Sequence, residues 1–174
     1  MIQNYTRYKI LQEFFDSPRK NFQMREISRI TKISHPSVIV HLKALLKDRL
    51  ILKEKKGIYP TFCSNRESEL FKLYKRMNLL IRMQQIGLSD YIYNACMPDV
   101  ILVFGSAAKG EDIEESDIDI FVQAPERKLN LEKYEKILRR EIDVFFEEDI
   151  NKLNSELKNN IINGTILKGY LKVF

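Results

Sequence analysis

Val100-Ile101-Leu102-Val103-Phe104-Gly105-Ser106-Ala107-Ala108-Lys109-Gly110, followed by Ser116-Asp117-Ile118-Asp119-Ile120, is the stretch that decides the fold. Val100 to Phe104 is apolar, β-rich and stops at Gly105, so it reads as a buried strand entering a tight turn. Gly105 and Gly110 give the loop backbone freedom, and Gly105 lets main-chain N–H groups come close to a bound group. Beyond the acidic segment 111–116, the run Asp117-Ile118-Asp119-Ile120-Phe121-Val122 alternates polar and apolar, which is strand patterning. Residues two apart on a strand share a face, so Asp117 and Asp119 are expected to point the same way. Two adjacent carboxylates repel and cost stability unless a cation sits between them. A hard divalent cation such as Mg²⁺ accepts this geometry and keeps substrate phosphates as further ligands.

Further on, Ile142-Asp143-Val144-Phe145-Phe146 reads as a strand on which Asp143 faces opposite to Ile142 and Val144. An apolar residue, Gly-Ser, ten residues (107 to 116) and then Asp-apolar-Asp-apolar resembles the signature of the DNA polymerase β-like nucleotidyltransferases. The short spacer and the Ser-Asp-Ile-Asp wording look most like the minimal nucleotidyltransferases. The resemblance covers about residues 87 to 174. It implies that Asp117 and Asp119 hold Mg²⁺ (or Mn²⁺) bridging a triphosphate, and that Asp143 helps bind a second ion and orients or deprotonates an attacking hydroxyl. It also implies that Gly105, Ser106, Lys109 and Gly110 bind nucleotide. The implied reaction is transfer of NMP from an NTP, ATP being the expected one, with release of pyrophosphate.

Charge divides the chain. Residues 1–65 carry 13 Lys/Arg against 5 Asp/Glu, a net of +8, whereas residues 97–174 carry 11 against 16, a net of −5. A basic head on an acidic tail predicts two domains with different partners.

In the head, apolar residues at helical spacing (Ile10, Leu11, Phe14, Phe15) predict a helix over 6–16, ended by Ser17-Pro18. A second helix fits Met24 to Thr31. A third is expected from a Ser34 N-cap, with Pro36 in its first turn, to about Arg49. Leu50 to Lys53 and Ile58 to Phe62 flank Glu54-Lys55-Lys56-Gly57, which reads as a hairpin with a basic tip. Three helices and a hairpin resemble a winged helix-turn-helix domain, in which the third helix enters the DNA major groove and the wing touches phosphates. The candidate DNA contacts are Ser34, His35, Ser37, His41 and Lys43 on the helix, with Lys53, Lys55 and Lys56 on the wing. Ile39 and Val40 stand where such readers carry polar or basic groups, and apolar side chains there suit a protein interface as well.

Arg66 to Gln85 is expected to be one long connecting helix whose inward stripe is Leu70, Leu73, Met77, Leu80 and Ile81. After Gly87 come a helix over 89–96, the strand into Gly105, the acidic strand and a charged helix over 131–139. Then follow the Asp143 strand, a helix over 150–161 and an apolar tail over 165–174 that docks as a strand or helix piece. The expected fold class is α+β: a winged helix domain (1–65), a connecting helix (66–86) and a small nucleotidyltransferase α/β domain with a short mixed sheet (87–174). The layout resembles archaeal winged-helix–nucleotidyltransferase fusions.

No apolar run approaches the ~18 residues of a membrane helix, and residues 1–5 carry no charged-then-apolar signal pattern, so a cytoplasmic protein without membrane partners is expected. Cys63 and Cys96 show no metal-like spacing and read as reduced thiols. So short a chain has no room for a polymerase thumb. The expected acceptor is therefore a hydroxyl on a small molecule or protein, such as a HEPN-type toxin of a toxin–antitoxin pair. Duplex DNA and a second copy of the chain are the other candidate partners. The competing reading is a non-enzymatic DNA-binding transcriptional regulator with a nucleotide-sensing domain.

Overall fold

The computed structural model describes residues 5–55 and 57–173, and within them no helix is long and apolar enough to cross a membrane. The chain forms two compact units, Met1–Lys75 and Arg76–Phe174.

The first unit opens with α1 (Thr6–Asp16), whose Ile10, Leu11, Phe14 and Phe15 are all buried. A two-residue strand, β1 (Phe22–Gln23), leads into α2 (Met24–Thr31). The start of α2 is held by a capping box in which the Gln23 and Glu26 side chains reach each other's backbone N–H. Lys20 Nζ sits 2.8 Å from Glu26, and that hydrogen-bonded cation holds the Glu26 carboxyl below its ordinary range. Next come α3 (His35–Lys47), with Pro36 in its first turn, then β2 (Ile51–Glu54) and β3 (Thr61–Ser64). The three strands form an antiparallel sheet in the order β1-β3-β2. Phe14 and Phe22 meet edge to face at 5.1 Å in the core, and the Ser64 hydroxyl donates to the Phe14 carbonyl at 3.0 Å. Each such ring adds roughly 1.5–3 kcal/mol by leaving water.

The wing differs from its expected register. Its second strand starts at Thr61 rather than Ile58, because Glu54 pairs with Thr61 and Gly57 to Pro60 stay outside the ladder. Ile58 is 89% exposed there, so its β-branched side chain has no core to join. The strand β1 has no counterpart in the sequence expectation: two residues are too few to show a period.

The helix α4 (Glu69–Gln85) runs through the boundary between the units, and its buried face is a correction to the expected stripe. Leu70, Leu73 and Met77 are exposed (Met77 by 45%), whereas Phe71, Lys75, Asn78 and Met83 are buried. The helix carries apolar residues on two sides, and the aromatic Phe71, 5.2 Å from Phe15, takes the inward place in the first unit.

The second unit consists of α5 (Leu88–Cys96), β4 (Val100–Val103), α6 (Gly105–Lys109), β5 (Ile118–Val122), α7 (Glu132–Leu138), β6 (Ile142–Phe146), α8 (Ser155–Ile162) and β7 (Thr165–Gly169). Its mixed sheet has the order β6-β5-β4-β7: β4 is antiparallel to β5 and β7, while β5 and β6 run parallel with α7 as their crossover. The single helix expected over 150–161 is broken. A short 3₁₀ turn, Ile150–Lys152, precedes α8, and the Asn154 side chain caps α8 by accepting from Leu157 N at 2.8 Å. On one face of the sheet Ile101, Val103, Ile118, Ile120 and Val122 pack with Leu88, Ile92, Tyr134 and Leu138. On the other, Val100, Leu102 and Phe121 pack with Ile150 and Ile161. The first face is sealed; the second is apolar only part of the way along, and there the acids sit.

Candidate functional site

Parity along β5 places Asp119 on the same sheet face as Phe121, opposite to Ile118 and Ile120. The parallel register pairs Asp119 with Asp143 and Phe121 with Phe145, so two carboxylates and two stacked rings lie side by side on one face. Asp117 falls one residue before β5 rather than on it, as Ile118 is the first residue to pair. Its charge still reaches Asp119. Burial first, then Asp143 and then Asp117 push the Asp119 carboxyl above its ordinary range, against its own backbone N–H. Asp117 and Asp143 are exposed and Asp119 half-buried.

The segment read as a glycine loop is a short helix. Gly105, at φ +70°, leads from β4 into α6, and Gly110, at φ +74°, closes it. A β-carbon on Gly105 would lie 2.3 Å from Asp119 Oδ2, so a side chain there would displace that carboxylate from its place. The Phe104 N–H donates to the Asp119 carbonyl at 3.0 Å and pins the turn to β5. Ser106 is half-buried in α6, and Lys109 is exposed at its end.

The donor set is all carboxylate oxygen, which suits Mg²⁺ or Mn²⁺. Among the described residues no three acids are arranged as a ready cage. One or two of these carboxylates could hold a hard cation, which would need further oxygen ligands from a bound phosphate.

Three residues outside the sequence expectation frame these acids. Arg140 Nη1 lies 3.0 Å from Asp112 Oδ2 and also donates to the Ile113 carbonyl. Glu135 Oε1 accepts from Ile142 N, beside Asp143, at 3.1 Å. A cavity of about 480 Å³ has Ser116, Asp117, Glu135, Arg139 and Arg140 among its lining residues. Asp112 reads as one acid in an acidic segment and Arg140 as half of a surface Arg-Arg pair; no periodicity links residues 28 apart.

In the first unit, Ser34 occupies the N-cap of α3, but its side chain makes no capping bond. His35, Lys43, Lys53 and Lys55 are exposed and Ser37 is half-buried. Lys56 lies outside the described residues. His41 is also half-buried, and its Nδ1 is enclosed without a hydrogen-bond partner among the described residues. Val40 is 63% exposed near the middle of α3, while Ile39 is half-buried. His35 also lines a cavity of about 230 Å³ with Gln23, Met24, Arg25, Tyr59 and Pro60.

The mixed sheet thus carries Gly-Ser at the end of β4 and paired acids on β5 and β6. Residues 87–170 match the family model described as polymerase beta, nucleotidyltransferase, and residues 4–53 match that of the bacterial regulatory protein, arsR family. An N-terminal helix-turn-helix region is thus fused to a C-terminal nucleotidyltransferase domain. No match was found among curated proteins or among solved structures.

Proposed function

We propose that the chain is a divalent-cation-dependent nucleotidyltransferase that moves NMP from an NTP, ATP in the first instance, to a hydroxyl on a protein or small molecule. The observation that carries this reading is the register pairing of Asp119 with Asp143 beside a glycine whose missing β-carbon makes room for the Asp119 carboxylate. Asp117 and Asp119 would hold Mg²⁺ or Mn²⁺ together with the triphosphate, and Asp143 would share a second ion. Bound there, the cations would neutralise charge on the triphosphate and on the departing pyrophosphate. The Gly105-Ser106 backbone and the Ser106 hydroxyl would position the β- and γ-phosphates, and Lys109 would add positive charge. Asp143 would orient the acceptor hydroxyl and take its proton as the oxygen attacks the α-phosphorus. The bond from that phosphorus to the bridging oxygen breaks, and pyrophosphate leaves.

The basic first unit would place this chemistry at duplex DNA through α3 and the wing lysines, or at a protein partner through the apolar Val40. Both cysteines are free, which fits a reducing compartment such as the cytoplasm. A second reading, a DNA-binding regulator that senses nucleotide without turnover, is favoured by the exposure of Asp117 and Asp143.

The deciding experiment incubates the protein with α-labelled NTPs, Mg²⁺ and candidate acceptors, including the product of the neighbouring gene. Metal-dependent transfer of label with release of pyrophosphate supports the enzyme. Tight nucleotide binding with no transfer to any acceptor supports the sensor.

A further inference from the structure

Two of the three acids are not held by strand pairing alone. Asp117 ends the connection from Gly110 to β5, and Asp143 is the second residue of β6. Arg140, two residues before β6, adds a side-chain tie between these segments. Its guanidinium donates to the Asp112 carboxylate at 3.0 Å and to the Ile113 carbonyl, and the two side chains are only 8% and 11% exposed. From Ile113 the chain of bonds continues. The Ile113 N–H donates to Ser116 Oγ at 3.0 Å, and the Ser116 N–H returns to the Ile113 carbonyl at 3.1 Å, which closes a turn whose next residue is Asp117. On the other side the Arg140 N–H bonds to the Glu135 carbonyl, while the Glu135 carboxylate accepts from Ile142 N. The Ile118 N–H donates to the Glu141 carbonyl at 2.9 Å and joins the two strand starts.

We propose that Arg140, through its buried pairing with Asp112 and the Ile113 carbonyl, is a positioning residue that sets where Asp117 stands relative to Asp119 and Asp143. This rests on the metal-dependent reading given above. Taking both charges out of water carries a desolvation penalty, and a hydrophobic pair of like volume would serve stability as well. A guanidinium offers what an apolar pair cannot: N–H donors fixed in one plane, here Nη1 donating to both a carboxylate and a main-chain carbonyl of one turn. The device is placed where repulsion would otherwise act. Asp117 and Asp143 each repel the Asp119 carboxylate, and Asp117 itself lies one residue outside the β5–β6 ladder.

The test compares the full-length wild type with Arg140→Lys and Asp112→Asn, both first shown folded by circular dichroism and thermal melting. Mn²⁺ binding is read by electron paramagnetic resonance, and hydrogen exchange is followed at amides 113–117. The positioning role predicts Mn²⁺ affinity at least about tenfold weaker in both variants, as for other groups that orient metal ligands. It also predicts faster exchange confined to 113–117, and a kcat that falls further than the KM for NTP rises. Arg140→Lys, which retains the charge but not the planar fork, should not restore Mn²⁺ affinity. Folded variants that melt earlier yet bind Mn²⁺ like wild type would overturn the inference and leave the enzyme reading standing. A wild type that binds no Mn²⁺ and transfers no nucleotide would overturn both. Should either variant fail to fold, the double substitution Asp112→Leu with Arg140→Met, which removes both buried charges, takes its place under the same criteria.

Discussion

Gly105 and Asp119 share one small volume: the space where a β-carbon on residue 105 would fall is taken by Asp119 Oδ2, 2.3 Å away. A candidate metal ligand and the turn proposed to position phosphate are therefore fitted to each other. Replacing Gly105 by Ala meets two costs, the left-handed φ of +70°, on the order of 1–2 kcal/mol, and displacement of the carboxylate. We expect Gly105→Ala to stay folded, to melt several degrees lower and to lose more than about a hundredfold in transfer rate, since a displacement of about 1 Å suffices for that. A thermal melt and a labelled-NTP assay on one preparation check it. Retained transfer would show that the carboxylate position is unimportant.

Asp119 also makes a prediction about pH. Its carboxyl is raised by burial and by Asp143 and Asp117, so the folded state holds that proton more tightly than the unfolded state. Stability is therefore lost as pH rises through the folded pKa, and near neutral pH the Asp119 charge is a cost. Asp119→Asn should raise the melting temperature near neutral pH, with the gain closing below about pH 4, where the unfolded carboxyl is protonated too. Added Mg²⁺ with nucleotide should stabilise wild type and leave the variant unmoved. A variant less stable than wild type at neutral pH would refute this account of the site.

Asp143 separates binding from chemistry. Asp143→Asn preserves side-chain shape at an exposed position on β6, so folding should be unaffected. We expect nucleotide affinity within a few-fold of wild type and transfer reduced by about 10²–10⁴, the usual contribution of a positioned base. Asp117→Asn and Asp119→Asn should lose both properties. Equilibrium nucleotide binding and single-turnover transfer, measured side by side, distinguish these patterns; transfer at the wild-type rate in Asp143→Asn would remove it from the mechanism.

For the first unit, Lys53 and Lys55 are exposed at the wing and suited to phosphate. If the unit binds duplex DNA, replacing both by Ala should flatten the plot of log affinity against log salt by about 0.9 for each phosphate no longer neutralised. Fluorescence anisotropy across a salt series reads this directly. Absence of DNA binding by the wild type at low salt would assign the exposed Val40 face to a protein partner.

The sequence by itself determined the elements whose signal is local. The helices over 6–16 and 24–31, the strand into Gly105 and the acid-bearing strands declare themselves by period and by where Gly and Pro interrupt it. The family resemblance carried by Gly-Ser…Asp-apolar-Asp was what pointed to Asp143 as a third acid. Only the tertiary structure decided what depends on residues distant in the chain. Burial in α4 went to Phe71 rather than to the Leu70, Leu73 and Met77 stripe, because a helix with two apolar sides can be ranked only by the core it meets. Pairing with Glu54 moved the start of β3 to Thr61, and β5 excluded Asp117 because its ladder begins at Ile118. The Arg140–Asp112 pair was invisible for the same reason. Its residues read as ordinary surface charges, and the desolvation that makes their pairing matter exists only once the fold has enclosed them.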